Sequence, residues 1–215
     1  MAGPKKKRTM QDREAWALAA WASMATSGEV SFSIEGLAPT LGVTKGSFYW
    51  HFDDRRDLLR EVLAMFEKKG AHEPIEALSK ERDPRRRIAM LFETALDESV
   101  NLRGERCLYT SPDPDVVEVV ARVHALRRAF LDDAYRALGL TAAVAARFSA
   151  TAYATYLGAV QLSDQPPFDD DRTLRAWTRH VATLLVPAGT RQACATPRAS
   201  PAVTSTRPSA QSVTP

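Results

Sequence analysis

Between Ser33 and Leu59 the chain reads SIEGLAPTLGVTKGSFYWHFDDRRDLL, and Gly42 splits this stretch into two short helical patterns. Ile34, Leu37, Ala38 and Leu41 recur at i, i+3, i+4 and i+7, one face of a helix. Ser33 stands where an N-cap belongs, and Gly42 stands where a left-handed residue ends a helix. Val43 is then expected to tuck into the core and Thr44 to cap a second helix from about Thr44 to Trp50. That helix is polar on the side of Thr44, Lys45, Ser47 and Trp50, with Phe48 as its one apolar plug. So short a helix has little stability of its own. Its use must lie in what its outer face touches.

A small helix presented in this way has the shape of an element that enters the major groove of DNA. Lys45 can reach a guanine edge or a phosphate, and Gly46 lets the backbone approach the bases. Thr44, Ser47, Tyr49, His51 and Arg55 suit phosphate oxygens, which fix register, while Trp50 adds apolar contact or stacking. Phe52 is expected in the core, and Tyr49 divides between core and contact. His51 is expected to pack or to touch phosphate rather than to bind metal.

The same residues resemble the DNA-binding domain of the tetracycline-repressor-like (TetR) family of transcriptional regulators. In that family a helix-turn-helix ends in Gly-Val-Ser/Thr, followed by a small or basic pair, an apolar residue, Tyr-x-x-Phe, and a basic residue before Leu. Gly42, Val43, Thr44, Lys45, Gly46, Ser47, Phe48, Tyr49, Trp50, His51, Phe52, Arg55, Leu58 and Leu59 stand in that register. The specific resemblance runs from about Met10 to Phe66; beyond it, only length and helical pattern agree. Pro39 departs from the pattern, since it removes an amide donor inside the first helix of the pair. The resemblance implies an all-α fold of about nine helices. It further implies a C-terminal domain that binds a small-molecule effector, and repression as the usual mode.

A chain of 215 residues forms one or two domains, and 45% hydrophobic with 26% charged residues is ordinary for a globule. Cys107 and Cys194 lie far apart, which argues against a structural disulfide and for a reduced, cytoplasmic setting. No secretory signal is evident. The weakly charged segment Thr141 to Leu162 is long enough for a membrane span, but its many alanines with Ser149, Thr151, Thr155 and Gln161 suit a buried soluble helix. The formal net charge of +3 is uneven: residues 1–13 carry Lys5, Lys6, Lys7, Arg8 and Arg13 against Asp12 alone. Lys5, Lys6, Lys7 and Arg8 form either a phosphate-contacting arm or a solvated terminus.

Four regions follow: a disordered basic arm over 1–9, the helix-turn-helix domain over 10–70, a ligand-binding and dimerisation domain over 71–187, and a disordered tail over 188–215. Met10 to Ser27 reads as a first helix, with Trp16, Ala20 and Met24 on one side. Asp53 to Lys69 reads as a fourth, with Leu58, Leu59, Val62 and Phe66 inward and Gly70 stopping it. After a polar connection holding Pro74 and Pro84, Arg85 to Leu102 is amphipathic, and Asn101 to Thr110 reads as irregular. Val116 to Leu138 holds one helix or two, Thr141 caps the Ala-rich helix to Leu162, and Arg172 to Val186 is the last. From Ala188 onward, Ala, Ser, Thr and Pro predominate with no acidic residue, too little apolar surface to offset ordering entropy.

One module offers too few base contacts to find a single genomic site, so two modules reading a near-palindrome, held by a homodimer, are expected. Ala145, Ala152, Gly158 and Ala159, with Trp177 and Val181, are the candidate interface; the alternative is that this helix is the domain's core strut. For the effector that the resemblance implies, Phe92, Leu96, Tyr109, His124, Tyr153, Tyr156 and Trp177 are candidate linings, each with plain core as its alternative. Tyr153 and Tyr156 stand out because buried tyrosines need hydroxyl partners. Glu93 and Asp97 suit either a cationic ligand or an exposed acidic edge. No nucleophile–base pair, metal-ligand cluster or phosphate loop is evident, so neither an enzyme nor a cofactor is expected. A helical ligand-binding or scaffolding protein without DNA binding is the rival reading.

Overall fold

The computed structural model describes residues 9–96 and 99–187, with only the backbone of 9–12 and 99–100. Lys5, Lys6, Lys7, Arg8, Asp97, Cys194 and the segment 188–215 lie outside the described residues. Among the described residues, ten α-helices follow in order: α1 (Thr9–Ser27), α2 (Ile34–Thr40), α3 (Lys45–Phe48), α4 (Arg55–Glu67), α5 (Glu73–Ser79), α6 (Pro84–Ala95), α7 (Ser99–Tyr109), α8 (Pro114–Arg136), α9 (Ala142–Gln161) and α10 (Asp171–Leu185). A π turn, Lys68–His72, joins α4 to α5 without a break, so that pair is one bent helix. No strand occurs among the described residues. The all-α fold stands, with about nine helices once α4 and α5 are taken as one.

Local chemistry sets most of the starts. Side chains of Ser33, Asp54, Asp83, Asp113, Thr141 and Asp170 each accept an amide of the first turn that follows them. Such caps contribute about 1 kcal/mol apiece. Pro84 and Pro114 open α6 and α8, where a missing amide donor costs nothing. Gly42 and Gly139 take positive φ, +66° and +79°, and turn the chain after α2 and before α9.

Two cores form. The first gathers Trp16, Ala20 and Met24 of α1 with Leu37, Phe48, Phe52, Leu58, Val62 and Phe66. Cys107, Leu108, Val116, Val120 and Val123 of α7 and α8 complete it, so the N-terminal head is packed onto the body rather than tethered to it. The second core joins α6, α8, α9 and α10 through Ile88, Phe92, Leu96, Tyr135, Ala145, Ala152, Leu174 and Val181.

Four expectations are corrected. Asn101 to Thr110 is not irregular but most of α7. Its buried side holds Leu102, Glu105, Cys107 and Leu108, and its Gly104 costs about 1 kcal/mol of helix propensity relative to alanine. The glycine is required, since a Cβ there would lie 2.5 Å from the Trp21 ring of α1. Gly70 does not stop α4; it sits in the π turn, where a Cβ would come within 2.9 Å of Arg127 Nη2. The second helix of the pair is shorter than Thr44 to Trp50: α3 spans four residues, then tightens so that His51 and Phe52 amides both reach the Phe48 carbonyl. Thr44 holds the N-cap position without a side-chain bond, and Val43 is 37% exposed rather than buried. Pro39 lies inside α2, which ends one residue later at Thr40.

Candidate functional site

Phe48 fastens α3 to the head. It is fully buried, edge-on to Trp16 at 5.3 Å and stacked on Phe52 at 5.2 Å. With that one side chain taken, the rest of the turn faces outward. Thr44, Lys45 and Gly46 are exposed, Ser47 is half-buried, and Tyr49 and Trp50 are 56% and 85% exposed. A tryptophan left so open is unusual, because burying its ring would remove a large apolar area from water. Lys45 Nζ lies 2.5 Å from Glu35 Oε1 of α2, and that hydrogen bond raises the lysine's pKa.

His51 and Arg55 are placed differently from their neighbours. The His51 carbonyl accepts a hydrogen bond from Arg13 Nη1, and its ring is only half exposed. Arg55 is exposed but turns back: its guanidinium sits 5.0 Å from the centre of the Phe32 ring, and Nη2 donates to the Val30 carbonyl at 3.4 Å. Arg13, grouped by sequence with the basic arm, instead clamps the head. It pairs with Glu61 at 2.9 Å and Asp57 at 3.4 Å and lies 4.2 Å over the Phe52 ring. These contacts fix the angle between α1, the end of the α3 turn and α4.

A cavity of about 260 Å³ opens where head and body meet. Leu18 and Trp21 of α1, Phe66 of α4 and Gly70 of the π turn form one wall; Leu91 and Phe92 of α6, Phe130 and Leu131 of α8, and Ala152, Tyr153 and Tyr156 of α9 form the other. Leu18, Lys69, Thr94 and Asn101 at its edge are exposed, whereas Phe92, Glu105, Leu131, Ala152 and Tyr156 are buried. Of the sequence-derived linings, Phe92, Tyr153 and Tyr156 thus meet in this cavity. Leu96 is fully buried in the second core beside it. Glu93 is exposed on the outer side of α6, and Trp177 packs edge-on to Phe168 at 4.8 Å, so neither reaches the cavity. His124 lies in a separate groove between α8 and α9, its Nδ1 hydrogen-bonded to the Tyr153 hydroxyl.

Two residues that the sequence reading passed over dominate the cavity floor. Glu105 of α7 and Arg127 of α8 form a two-pronged ion pair, 2.8 Å from Nη1 to Oε2 and 2.9 Å from Nη2 to Oε1. Tyr109 and Tyr156 hydroxyls each donate to Glu105 Oε2 at 2.5 Å, and Arg127 Nε donates to the Gly70 carbonyl at 2.9 Å. Tyr109 therefore serves the floor from behind, without lining the space. Burial pushes the Glu105 carboxyl up, but the Arg127 charge and the three hydrogen bonds outweigh it and hold the group below the ordinary carboxylate range. Burial raises the pKa values of Tyr109 and Tyr156, and carries Tyr153 to about 12. The i, i+4 spacing of Glu105 and Tyr109 was the one available sequence signal.

The candidate interface alanines do not reach the surface. Ala145, Ala152 and Ala159 are buried inside the protomer along the inner side of α9, and Val181 of α10 faces the same core. Gly158 differs, since a Cβ there would meet open space. The outward row of α9 is Ala146, Ala150 and Ala154, all exposed. Among the described residues no group of His, Cys, Asp and Glu could hold a metal ion, and no helix is long and apolar enough to cross a membrane.

Residues 18–62 match the sequence profile of a family described as bacterial regulatory proteins, tetR family. No curated protein matches the chain. Among solved structures, FadR of Bacillus halodurans, a fatty acid degradation regulator, is similar at TM-score 0.65 and 15% identity, covering 87% of this chain and 99% of that one. A TetR transcription regulator of Haloarcula marismortui is similar at TM-score 0.63 and 18% identity, covering 82% and 96%. FadR of Bacillus subtilis, in complex with stearoyl-CoA, follows at TM-score 0.59 and 15% identity, covering 80% and 97%. Residues 18–62 thus carry the tetR-family profile, and the all-helical fold around them is the one these solved structures share.

Proposed function

We propose that this protein is a cytoplasmic, homodimeric, sequence-specific DNA-binding repressor that a small molecule in the junction cavity releases from a near-palindromic operator. The observation that carries the reading is the α3 turn: one fully buried anchor, Phe48, behind an outward face of Thr44, Lys45, Gly46, Tyr49 and Trp50. Lys45 is assigned to a guanine edge or phosphate, Gly46 to close backbone approach, and Thr44, Ser47, Tyr49 and His51 to phosphate oxygens. Trp50 supplies apolar contact. Arg55 is assigned first to holding the Phe32 loop and only then to phosphate, and Lys5, Lys6, Lys7 and Arg8 to a phosphate-contacting arm.

The dimer surface is assigned to the outward row Ala146, Ala150 and Ala154 with Gly158, whose small side chains permit close helix approach, together with Trp177 and the exposed Leu184. The domain division is placed at the π turn, with 10–70 as the reading head and 71–187 as the sensing body. The cavity supports the effector role because its walls come from both: Trp21 and Phe66 belong to the head, Phe92 and Tyr156 to the body. Arg127 links the floor to the Gly70 carbonyl, which has no helical donor four residues on because Pro74 lacks an amide N–H. A ligand that shifts the floor therefore pulls on the end of α4. A coupling of about 1–3 kcal/mol changes DNA affinity roughly 5- to 150-fold, enough to switch a gene.

The test is binding of the intact protein to the DNA upstream of its own gene, followed by fluorescence anisotropy across salt concentrations. A specific complex that weakens steeply with salt is expected. Lys45→Ala and Gly46→Trp should abolish it with helix content and dimer mass unchanged. Normal operator binding by either variant would show that the reading surface lies elsewhere.

A further inference from the structure

The charges at the cavity floor satisfy one another. Arg127 directs Nε to the Gly70 carbonyl, Nη1 to Glu105, Tyr109 and Tyr156, and Nη2 to the second Glu105 oxygen. Glu105 in turn accepts from that guanidinium and from both tyrosine hydroxyls. The floor therefore carries one positive and one negative group with no net charge to offer. At the mouth, Lys69 Nζ is held by Glu14 at 2.6 Å, so the cation there is paired as well. The remaining wall is aromatic and aliphatic, with Trp21 stacked on Phe66 at 5.8 Å.

We infer that the ligand of this cavity is a compact molecule whose buried part is uncharged: an apolar ring system or short aliphatic skeleton carrying at most a hydroxyl, carbonyl or amide. A carboxylate at the floor would have to take Arg127 from Glu105, leaving Glu105 buried without its cation. An ammonium would have to take Glu105 from Arg127, with the reverse result. Either exchange leaves a buried charge uncompensated, which is far more costly than leaving the pair intact. An uncharged ligand keeps the pair and adds aromatic contact. A volume of about 260 Å³ suits a bicyclic compound, since an engineered apolar cavity of roughly 150 Å³ already binds benzene. This inference rests on the effector reading of the same cavity, but its test is separable from it.

Isothermal titration of the intact protein with naphthol, naphthoate and naphthylmethylammonium at about pH 7.5, where only the first is neutral, compares three molecules of one shape. Naphthol is expected to bind with a Kd at least about tenfold lower than either ion. Ala95→Phe, which narrows the cavity from α6, should weaken naphthol binding. Glu105→Gln leaves Arg127 without its counter-charge and should reverse the order in favour of naphthoate. If that variant fails to fold, as judged by circular dichroism, the wild-type order alone decides. An ion that binds as tightly as naphthol, no binding by naphthol at all, or binding indifferent to Ala95→Phe would each overturn the inference. Operator release is measured separately by anisotropy. Naphthol that binds in the expected order but leaves the DNA complex intact would count against the effector reading alone, whereas naphthoate that binds tightly and releases DNA would count against this inference alone.

Discussion

The outer face of α3 and the floor of the junction cavity are both polar surfaces, built in opposite ways. On α3 the polar groups stand in water and the apolar anchor, Phe48, is hidden. At the floor the polar groups are hidden and matched to each other, while the aromatic groups face the space a ligand would fill. The first arrangement leaves charge available for a charged polymer; the second removes charge from recognition and leaves shape and apolar area. The two faces should therefore respond to mutation in different currencies. Changes at the floor should register as stability, and changes on α3 as binding.

The largest expected effect is at the floor. Glu105→Gln leaves the Arg127 guanidinium buried without its anion and should destabilise the fold by about 3–5 kcal/mol, read from urea unfolding at neutral pH. Replacing both partners, Glu105→Leu with Arg127→Met, should recover part of that loss: no charge is stranded, but the Tyr109 and Tyr156 hydroxyls and the Gly70 carbonyl lose their partners. The pH dependence has a definite sign. The Glu105 carboxyl is held below its ordinary range, so its contribution is complete above the ordinary carboxylate pKa and fades as pH falls through the folded value. The gap between wild type and Glu105→Gln should accordingly narrow in acid. A single variant as stable as wild type at neutral pH would mean that the floor is not held by this pair.

A smaller loss is expected where head meets body. Gly104 of α7 allows α1 to approach until a Cβ would lie 2.5 Å from the Trp21 ring. Gly104→Ala must push the indole aside and, with it, one wall of the cavity, at a cost of about 1–3 kcal/mol. Thermal unfolding gives the stability, and naphthol titration shows whether the cavity has changed shape. Unaltered values in both would show that the two helices are free to separate.

What could be read from the sequence divides along the same line. The turn at Gly42, the cap at Ser33 and the plug at Phe48 are local: each signal and its partner lie within a few positions. The floor is not local. Glu105 meets Arg127 22 positions away and Tyr156 51 positions away, and a carboxylate that looks solvated in sequence is buried only once α7, α8 and α9 have assembled. Gly104 and Glu105 likewise interrupted the apolar rhythm by which α7 would have been recognised as a helix. The alanines of α9 show a third case. Alanine reads the same on every side of a helix, so Ala145, Ala152 and Ala159 could not be told from Ala146, Ala150 and Ala154 until the fold placed one set inward and the other outward. Tyr153 and Tyr156 were legible for a chemical reason, because a phenol in a small-residue helix needs a partner for its hydroxyl.

The smallest expected effect sharpens the contrast on the α3 side. Glu35 of α2 lies 2.5 Å from Lys45 and is well exposed, so in the free protein it offsets the charge that the proposed DNA contact would use. Exposed pairs of this kind contribute little to folding, and Glu35→Gln should leave the unfolding midpoint unchanged. Binding should move instead. With the carboxylate gone, Lys45 no longer has to leave a partner, and an anionic group beside the phosphates is removed. Affinity for random-sequence duplex should rise about two- to fivefold at low salt, with the gain shrinking as salt screens the interaction. Affinity for the operator should rise less, because a lysine freed from Glu35 is also less well directed, so discrimination between the two DNAs narrows. Anisotropy with both duplexes at two ionic strengths measures all of this. A loss of affinity for both would mean that Glu35 chiefly orients Lys45, making the outer face of α3 a pre-arranged surface like the cavity floor and erasing the distinction between them.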